Sequence, residues 1–210
     1  PHLFMKVPFL NLNRLHHEIS DELKHSFSDI LTKGQFIGGE YLDTFEKSYS
    51  AYTGSDYCVG VGNGLDALVI CLKALDVGPG DEVIVPSNTF IATWLAVTHC
   101  GATIVPVEPD IRTHNIDVSL IEEKITEKTR VIIPVHLYGQ PANLDEVIQL
   151  ARKYKLYVIE DAAQAHGASY KGKRIGSHGD LVAWSHYPGK NLGALGDAGS
   201  ITTNNKELAN

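Results

Sequence analysis

The sequence is poor in the residues that disulfide-bonded or membrane-embedded proteins need. Only three of its 210 residues are cysteines, Cys58, Cys71 and Cys100, and no two of them form a Cys-x-x-Cys pair. A disulfide framework and a cysteine-based zinc site are therefore not predicted. No apolar run approaches the roughly 20 residues of a membrane-spanning helix. Because no secretory signal is visible either, we expect reduced thiols and a cytoplasmic location.

Positive charge is also in short supply. Eighteen Lys and Arg residues stand against 25 Asp and Glu residues, which gives a formal net charge of −7. This balance provides no basic surface for nucleic acid or for an anionic membrane. The ten histidines show no metal-ligand spacing, so we predict no metal site. A hydrophobic fraction of 43% is typical of a soluble globular protein with a sizeable core.

The chain ends suggest how the domain is bounded. The segment from Met5 onward is typical of a natural start, so we expect residues 1–4 to be foreign to the natural chain. Residues 5–210 contain no repeat, linker or low-complexity segment, which predicts one domain. Residues 206–210 are typical of the opening of a helix, and no stop signal precedes them. We therefore expect the natural chain to continue beyond residue 210.

Hydrophobic spacing predicts helices over 13–32 and 40–52, followed by alternating strands and helices. The strands are apolar on both faces, which favours an α/β fold with a mostly parallel central sheet and helices on both faces. After residue 170 the pattern changes, and short hairpin-like pieces are predicted at 170–176, 181–184 and 200–203. Ligands of such sheets bind at the carboxyl ends of the strands. The predicted strands are 57–61, 82–85, 102–107, 130–135 and 156–160, and the helices are 65–74, 89–99, 119–125 and 144–154.

The first strand-to-helix turn contains Gly62, Asn63 and Gly64. Two glycines let the backbone approach a ligand closely, and the start of the next helix suits a phosphate. A tight turn without a ligand is the alternative interpretation. Asp66 fits the helix dipole, but it would repel a phosphate unless its carboxylate points away.

Two further turns carry an aromatic residue and two acids. Phe90 could lie flat against a ligand ring or could be a core aromatic at the start of a helix. Glu160 and Asp161 end an apolar strand, and a buried carboxylate needs a partner that the local sequence does not supply. A ligand could supply it, or one acid could cap the next turn. Gln164 could share a face with Asp161.

Lys190 lies among glycines, a proline and small apolar residues, in the segment Pro-Gly-Lys-Asn-Leu-Gly. Desolvation there would lower its pKa and make it a nucleophile, although a surface lysine in a loop is the simpler alternative. Combined with a phosphate turn, an aromatic ring and a strand-end carboxylate, it indicates pyridoxal 5′-phosphate. This cofactor needs a lysine for its aldehyde, a carboxylate for its pyridine nitrogen, and a hydroxyl for its phosphate, such as that of Ser185.

These motifs resemble those of the nucleotide-sugar aminotransferases, which belong to fold type I of the pyridoxal-phosphate enzymes (the aspartate aminotransferase superfamily). The resemblance runs from Val7 over nearly the whole chain, and it is most specific at residues 62–68, 134–139, 160–164 and 188–193. It implies that the chain is the large domain of such an enzyme. It also implies a smaller C-terminal domain, which we expect to lie largely beyond residue 210.

The resemblance implies a role for each motif residue. Lys190 would bind the cofactor's aldehyde covalently and would move the proton. Tyr187 could touch a sugar or could only pack. His186 stands where we expect Phe, and it could change the packing or the electrostatics of the cofactor. The remaining implied contacts are the Gly64 and Leu65 backbone and the Ser185 hydroxyl with the phosphate, Phe90 with the ring face, Asp161 with the pyridine nitrogen, and Gln164 with the ring hydroxyl.

The implied reaction is transamination of a nucleotide-linked keto-sugar, with L-glutamate as donor and 2-oxoglutarate as product, in deoxyamino-sugar and polysaccharide biosynthesis. The motifs are most similar to those of 3-aminotransferases that act on dTDP-3-keto-6-deoxyhexoses. A homodimer with a shared active site is also implied. The alternatives are amination at C4, a sugar dehydratase of the same fold, a non-catalytic regulatory protein that binds the cofactor, and an inert truncated domain. The dehydratases replace the lysine by histidine, so Lys190 argues against that reading.

Overall fold

The computed structural model describes residues 7–210, so the expectation for residues 1–4 lies outside the described part. Contacts divide the chain into two compact units, with the boundary between Asp43 and Thr44. The helix predicted over 13–32 is two helices, α1 (Asn13–Glu18) and α2 (Ser20–Lys33), because the backbone departs from helical geometry at Ile19. A third helix, α3 (Glu40–Thr53), matches the prediction closely and contains the boundary between the units.

The second unit is built on a sheet that has seven strands within the described residues. The strand Gly199–Thr203 (β9) is antiparallel to both of its neighbours. The other neighbouring strands of this sheet pair in parallel, so the predicted mostly parallel sheet is confirmed. In spatial order the strands are β1 (Tyr57–Val61), β9 (Gly199–Thr203), β8 (Leu181–Ser185), β5 (Tyr157–Asp161), β4 (Thr129–Ile132), β2 (Glu82–Pro86) and β3 (Thr103–Val107).

The region after residue 170 contains a short hairpin and two strands that belong to the main sheet. A short hairpin does occur, formed by β6 (Ser169–Tyr170) and β7 (Lys173–Arg174). However, β8 and β9 are full members of the main sheet, and β8 pairs in parallel with β5 at its centre. The pieces predicted at 181–184 and 200–203 are therefore present as β8 and β9, which pair antiparallel, and their place in the main sheet puts β8 directly beside the strand that ends in Asp161.

The remaining helices are α4 (Gly64–Ala74), α5 (Ala92–His99), α6 (Leu144–Tyr154) and α7 (Lys206–Ala209). Two predictions need correction. The helix expected from residue 89 begins only at α5, which leaves residues 89–91 in the preceding turn. The helix expected over 119–125 is a pair of short 3₁₀ turns, and Asp117 caps the first of them by accepting from Ser119 N–H and Oγ–H.

The strand predicted over 130–135 is shorter, because β4 ends at Ile132. Pro134 has no N–H to continue the ladder, but its carbonyl accepts from Asp161 N–H at 2.9 Å. The chain then returns to the sheet through a single parallel bridge between Val135 and Asp161.

Side-chain alternation places apolar residues on both faces of the sheet. Leu181 and Ala183 of β8 join the cluster that contains α4 and α5, whereas Val182 and Trp184 join the cluster that contains Tyr49 of α3 and residues of α6. Helices therefore cover both faces, as predicted. This arrangement brings the start of α4 next to the carboxyl end of β8, while β5 ends beside it.

Candidate active site

A cavity of about 630 Å³ opens at the carboxyl ends of β5 and β8 and at the start of α4. Every site residue proposed from the sequence contributes to its wall, which is the position expected for a ligand site in such a sheet. The eight residues are Gly64, Leu65, Phe90, Asp161, Gln164, Ser185, Tyr187 and Lys190.

One end of the cavity offers free backbone donors. Asn63 caps α4 by accepting from Asp66 N–H at 2.9 Å, while the N–H groups of Gly64 and Leu65 have no acceptor among the described residues. Ser185 lies so close that a Cβ at Gly64 would be 2.6 Å from the Ser185 Cβ. Two unpaired N–H groups, a helix N-terminus and a hydroxyl together form an anion cradle that suits a phosphate.

Asp66 lies in the first turn of α4, where its carboxylate would repel a phosphate unless it pointed away. Its Oδ2 accepts from Asn63 Nδ2 at 3.1 Å, and a Cβ at Gly62 would be 2.5 Å from the same oxygen. Asp66 is absent from the wall of the cavity. The carboxylate therefore points toward Gly62 and away from the anion cradle, and a side chain at position 62 would displace it.

Asp161 lies at the floor of the cavity with both oxygens held. Thr93 Oγ1 donates to its Oδ2 at 2.8 Å, and the backbone N–H of Ala163 donates to its Oδ1 at 3.2 Å. Burial raises the pKa of Asp161 above its usual value, and these two hydrogen bonds oppose that effect. The contact of Thr93 with Asp161 was not predicted from the sequence, although two threonines four residues apart, at 89 and 93, were a signal.

The adjacent acid, Glu160, faces the opposite direction and is fully buried. Its Oε2 lies 2.9 Å from His136 Nε2, and its Oε1 accepts from the backbone N–H groups of residues 178 and 179. Because His136 Nδ1 accepts from Ala142 N–H, the ring proton is on Nε2 and points at the carboxylate. Burial alone would raise the pKa of Glu160, but the His136 contact and the backbone donors hold it below its usual value. Glu160 therefore has a structural role, and of these two adjacent acids it is Asp161 that lines the cavity.

Gln164 has a fixed amide orientation. Its Oε1 accepts from the backbone N–H of Tyr138 at 2.7 Å, so its Nε2 is left to donate toward the cavity. Tyr138 can reach it because residues 138 and 139 both have positive φ angles, 57° and 84°. Tyr138 contributes through its backbone N–H, so the type of its side chain gave no indication of this contact in the sequence.

Lys190 lies half-buried on the loop between β8 and β9. Burial lowers its pKa, against the opposing effect of Asp161, and Nζ has no ion-pair partner among the described residues. The loop turns back immediately, since Lys190 N–H donates to Tyr187 C=O at 2.8 Å. Of the glycines around it, Gly193 is required by contact, because a Cβ there would be 2.5 Å from Pro188 C=O. The loop therefore presents an amine with increased nucleophilicity to the cavity.

His186 anchors this loop on both sides. Its Nδ1 lies 3.1 Å from Leu192 C=O, so Nδ1 carries the proton, and its Nε2 accepts from Ser200 Oγ–H at 2.9 Å. Its backbone bonds to residues 198 and 194 at 2.8 Å each. Burial lowers its pKa, which favours this neutral form. A phenylalanine could fill the same space but could not make the two side-chain hydrogen bonds.

The described residues form neither a metal-binding cluster nor a helix that could span a membrane. Within residues 7–210, no three His, Cys, Asp or Glu side chains converge as a metal ion would require. Among the helices that the structure describes, none combines the length and the apolar character needed to cross a membrane. The cavity beside Lys190 is thus the site with the clearest chemistry.

Known proteins with similar sequences include aminotransferases. Residues 17–210 match the DegT/DnrJ/EryC1/StrS aminotransferase family. A dTDP-3-amino-3,6-dideoxy-alpha-D-galactopyranose transaminase from Aneurinibacillus thermoaerophilus is 54% identical over 203 residues, which cover 97% of this chain and 56% of that protein. The chain spans about half the length of the curated relatives it matches.

Solved structures agree with the sequence matches. DesV of Streptomyces venezuelae, crystallised in complex with a ketimine intermediate, has a TM-score of 0.96 and 48% identity, with 98% of this chain and 56% of that chain covered. NtdA of Bacillus subtilis, with bound cofactor PMP, has a TM-score of 0.92 and 42% identity, with 98% and 47% covered. The family match, these identities and the shared fold confirm the resemblance seen in the motifs: the chain belongs to the DegT/DnrJ/EryC1/StrS aminotransferase family.

Proposed function

We propose that this chain is the cofactor-binding large domain of a sugar aminotransferase that uses pyridoxal 5′-phosphate. One observation carries the proposal: an amine of lowered pKa, a buried carboxylate, an oriented amide and an anion cradle all face one cavity. When bound, the cofactor supplies an electrophilic carbonyl and a ring that withdraws electrons from the carbon next to the transferred nitrogen.

The residues fit this cofactor at each of its polar groups. The unpaired N–H groups of Gly64 and Leu65, together with the Ser185 hydroxyl, would bind the phosphate. The Asp161 carboxylate would pair with the pyridine nitrogen, and Gln164 Nε2 would donate to the ring hydroxyl. Phe90 would cover one face of the ring.

Lys190 would act twice in this scheme. Its amine, favoured in the neutral form by burial, would hold the cofactor through the cofactor's carbonyl group. After the amino donor displaces it, Lys190 Nζ would take the proton from the donor's α-carbon and return a proton on the way to products. Asp161 would keep its negative charge opposite the ring nitrogen throughout, so the withdrawal of electrons is sustained.

The proposed substrates are L-glutamate, which leaves as 2-oxoglutarate, and a nucleotide-linked keto-sugar such as a dTDP-3-keto-6-deoxyhexose. The name of the 54% identical transaminase supports the sugar class. Tyr187, which is exposed at the cavity wall, is the proposed contact for the sugar. The proposed setting is deoxyamino-sugar and polysaccharide biosynthesis in the cytoplasm.

We further propose that the full-length protein is a homodimer. Large apolar side chains at the cavity wall are exposed, among them Phe90, which is 69% accessible, and Ile91, which is 54% accessible. A surface of this kind beside a polar site suits a second copy of the chain, which would also help to enclose the substrate.

The experiment that tests the function uses the full-length protein. It is mixed with pyridoxal 5′-phosphate, reduced with borohydride and digested, and the modified lysine is located by mass spectrometry. We expect the label on Lys190 and expect turnover with glutamate and a 3-keto nucleotide sugar in a panel that includes 4-keto sugars. A label on another lysine would refute the assignment of Lys190, and turnover of 4-keto sugars alone would move the amination to C4.

A further inference from the structure

We infer that Thr93 and Thr89 form a two-hydroxyl chain that orients the Asp161 carboxylate and stabilises its negative charge, so that Thr93 is a positioning residue of the site. The inference rests on the proposed function, because it assigns a role in cofactor binding to residues beyond those that touch the cofactor.

The contacts form a line from the cavity to the carboxylate. Thr89 lies at the cavity wall, and its Oγ1 is 2.8 Å from Thr93 Oγ1. Thr93, in the first turn of α5, is fully buried, and its Oγ1 is 2.8 Å from Asp161 Oδ2. Both distances are those of good O–H···O hydrogen bonds.

The direction of the chain follows from hydrogen-bond bookkeeping. An ionised carboxylate can only accept, so the single hydroxyl proton of Thr93 must go to Asp161 Oδ2. Thr93 Oγ1 then accepts, and the proton between the two threonines must come from Thr89. Both hydroxyl dipoles therefore point their positive ends at Asp161, and hydrogen bonds in such a chain strengthen one another.

No other group replaces this contact on the α5 side of Asp161. The backbone N–H of Ala163 serves the other carboxylate oxygen. The titratable groups that act on Asp161 are Lys190 from the cavity, His136 beyond the bridge between residues 135 and 161, and the Cys71 thiol of α4. Burial raises the pKa of Cys71, which keeps that thiol neutral, and among the contacts that lower the pKa of Asp161 the Thr93 hydroxyl has the largest effect.

The test compares Thr93→Val, which keeps the shape but removes the hydroxyl, with Thr93→Ser, which keeps the hydroxyl. Urea unfolding of the cofactor-free full-length protein is measured at about pH 5 and about pH 8, at one protein concentration. The raised pKa of Asp161 means that stability is lost as pH rises through it. Removing the Thr93 hydroxyl raises that pKa further, so we expect the Val variant to be more destabilised at the higher pH than at the lower. The Ser variant should show no such pH-dependent difference.

Cofactor affinity provides the second readout. We expect Thr93→Val to weaken pyridoxal 5′-phosphate binding about tenfold, the effect of one hydrogen bond to a charged group, and Thr93→Ser to restore it. In an Asp161→Asn background the Val substitution should lose most of its effect, as a double-mutant cycle requires of coupled groups. Thr89→Val, at a less buried position, should change the pH-dependent stability and the cofactor affinity in the same direction, by a smaller factor. This variant replaces Thr93→Val in the test if the Thr93→Val protein does not fold.

The outcomes separate this inference from the proposed function. Equal destabilisation of the Val variant at both pH values, or failure of Ser to restore it, would show that Thr93 only packs and would overturn the inference. If the parent protein binds no pyridoxal 5′-phosphate, the proposed function fails, and the unfolding data on cofactor-free protein still decide whether Thr93 stabilises the Asp161 charge.

Discussion

Gly64 and Ser185 approach so closely that a Cβ on Gly64 would lie 2.6 Å from the Ser185 Cβ, while α4 leaves its first two N–H groups unpaired among the described residues. A side chain at position 64 must therefore push the serine or the helix terminus out of place. We expect Gly64→Ala to weaken binding of pyridoxal 5′-phosphate at least about tenfold, because hydrogen bonds to a charged phosphate are lost.

Fluorescence titration measures this effect, with pyridoxal as a ligand that lacks the phosphate. The affinity for pyridoxal should change much less. Gly78→Ala is the matched control, because a Cβ there meets nothing closer than 3.9 Å and the residue is absent from the cavity wall. Equal losses for both ligands would place the phosphate elsewhere.

Lys190 should be indispensable to both covalent attachment and turnover. We expect Lys190→Ala to lose the absorbance of the covalent lysine–cofactor bond and to lower the rate of transamination by at least about 100-fold, the usual contribution of a positioned acid–base group. Lys190→Arg should not restore either property, because the guanidinium stays protonated. Lys206→Ala, at an exposed position, is the control. Parent-like turnover of the alanine variant would exclude Lys190 from the chemistry.

Asp161→Asn keeps the size of the side chain but removes its charge. We expect the variant to bind the cofactor through phosphate and ring contacts, yet to be severely slowed in proton transfer from glutamate. Stopped-flow absorbance of the glutamate half-reaction measures this step separately from the sugar half-reaction. An unchanged rate would show that Asp161 does not act on the ring nitrogen.

Glu160→Gln should affect stability rather than chemistry, although it is the adjacent residue. Glu160 accepts from His136 Nε2–H and from two backbone N–H groups, and a hydrogen bond to a buried charged group contributes about 1.5–3 kcal/mol, so we expect a drop in the free energy of unfolding of at least this size. The pKa of Glu160 is lowered in the folded protein, so its contribution is present above the usual carboxyl pKa and is lost as pH falls. Urea unfolding against pH should therefore show a flatter acid limb in the variant. An acid limb as steep as that of the parent would contradict this.

The full-length protein should sediment as a dimer, and Ile91→Asp should weaken it, because the Ile91 side chain is exposed at the cavity wall. Analytical ultracentrifugation with activity measured on the same samples provides the test. Asp56→Asn, which changes charge at an exposed position outside the cavity wall, is the control. A fully active monomer would refute the proposed dimer.

The sequence predicted the parts of the site that depend on local motifs. The glycine turn, the strand-end acids and the lysine loop were each recognisable, because each needs particular residue types at fixed spacing. The contacts of Thr93, Tyr138 and His136 were not predicted, although residues 134–139 were recognised as a motif, because the partners are 68, 26 and 24 residues away along the chain. Contacts of that kind depend on tertiary packing, which periodicity does not reveal.

The place of β9 in the main sheet was not predicted, for a related reason. β9 reads Gly-Ser-Ile-Thr-Thr, which is a polar sequence for a central strand, yet all five of its residues are buried. The hydroxyl of Thr202 accepts from Trp184 Nε1 and donates to Gly176 C=O, and Thr203 donates to Asp180 C=O. A polar strand can lie inside a sheet when each hydroxyl has a partner, and those partners are not visible in the strand itself.

The left-handed backbone at Tyr138 restricts which residues can occupy that position. Its side chain is 74% exposed and does not line the cavity, so the chemical nature of the phenol matters little to Gln164. What matters is the φ angle of 57°, which lets the N–H reach the amide oxygen. Asparagine or glycine could replace this tyrosine without altering the site, whereas valine or isoleucine would turn the amide away from the cavity. An exposed residue thus controls the amide by its backbone preference alone.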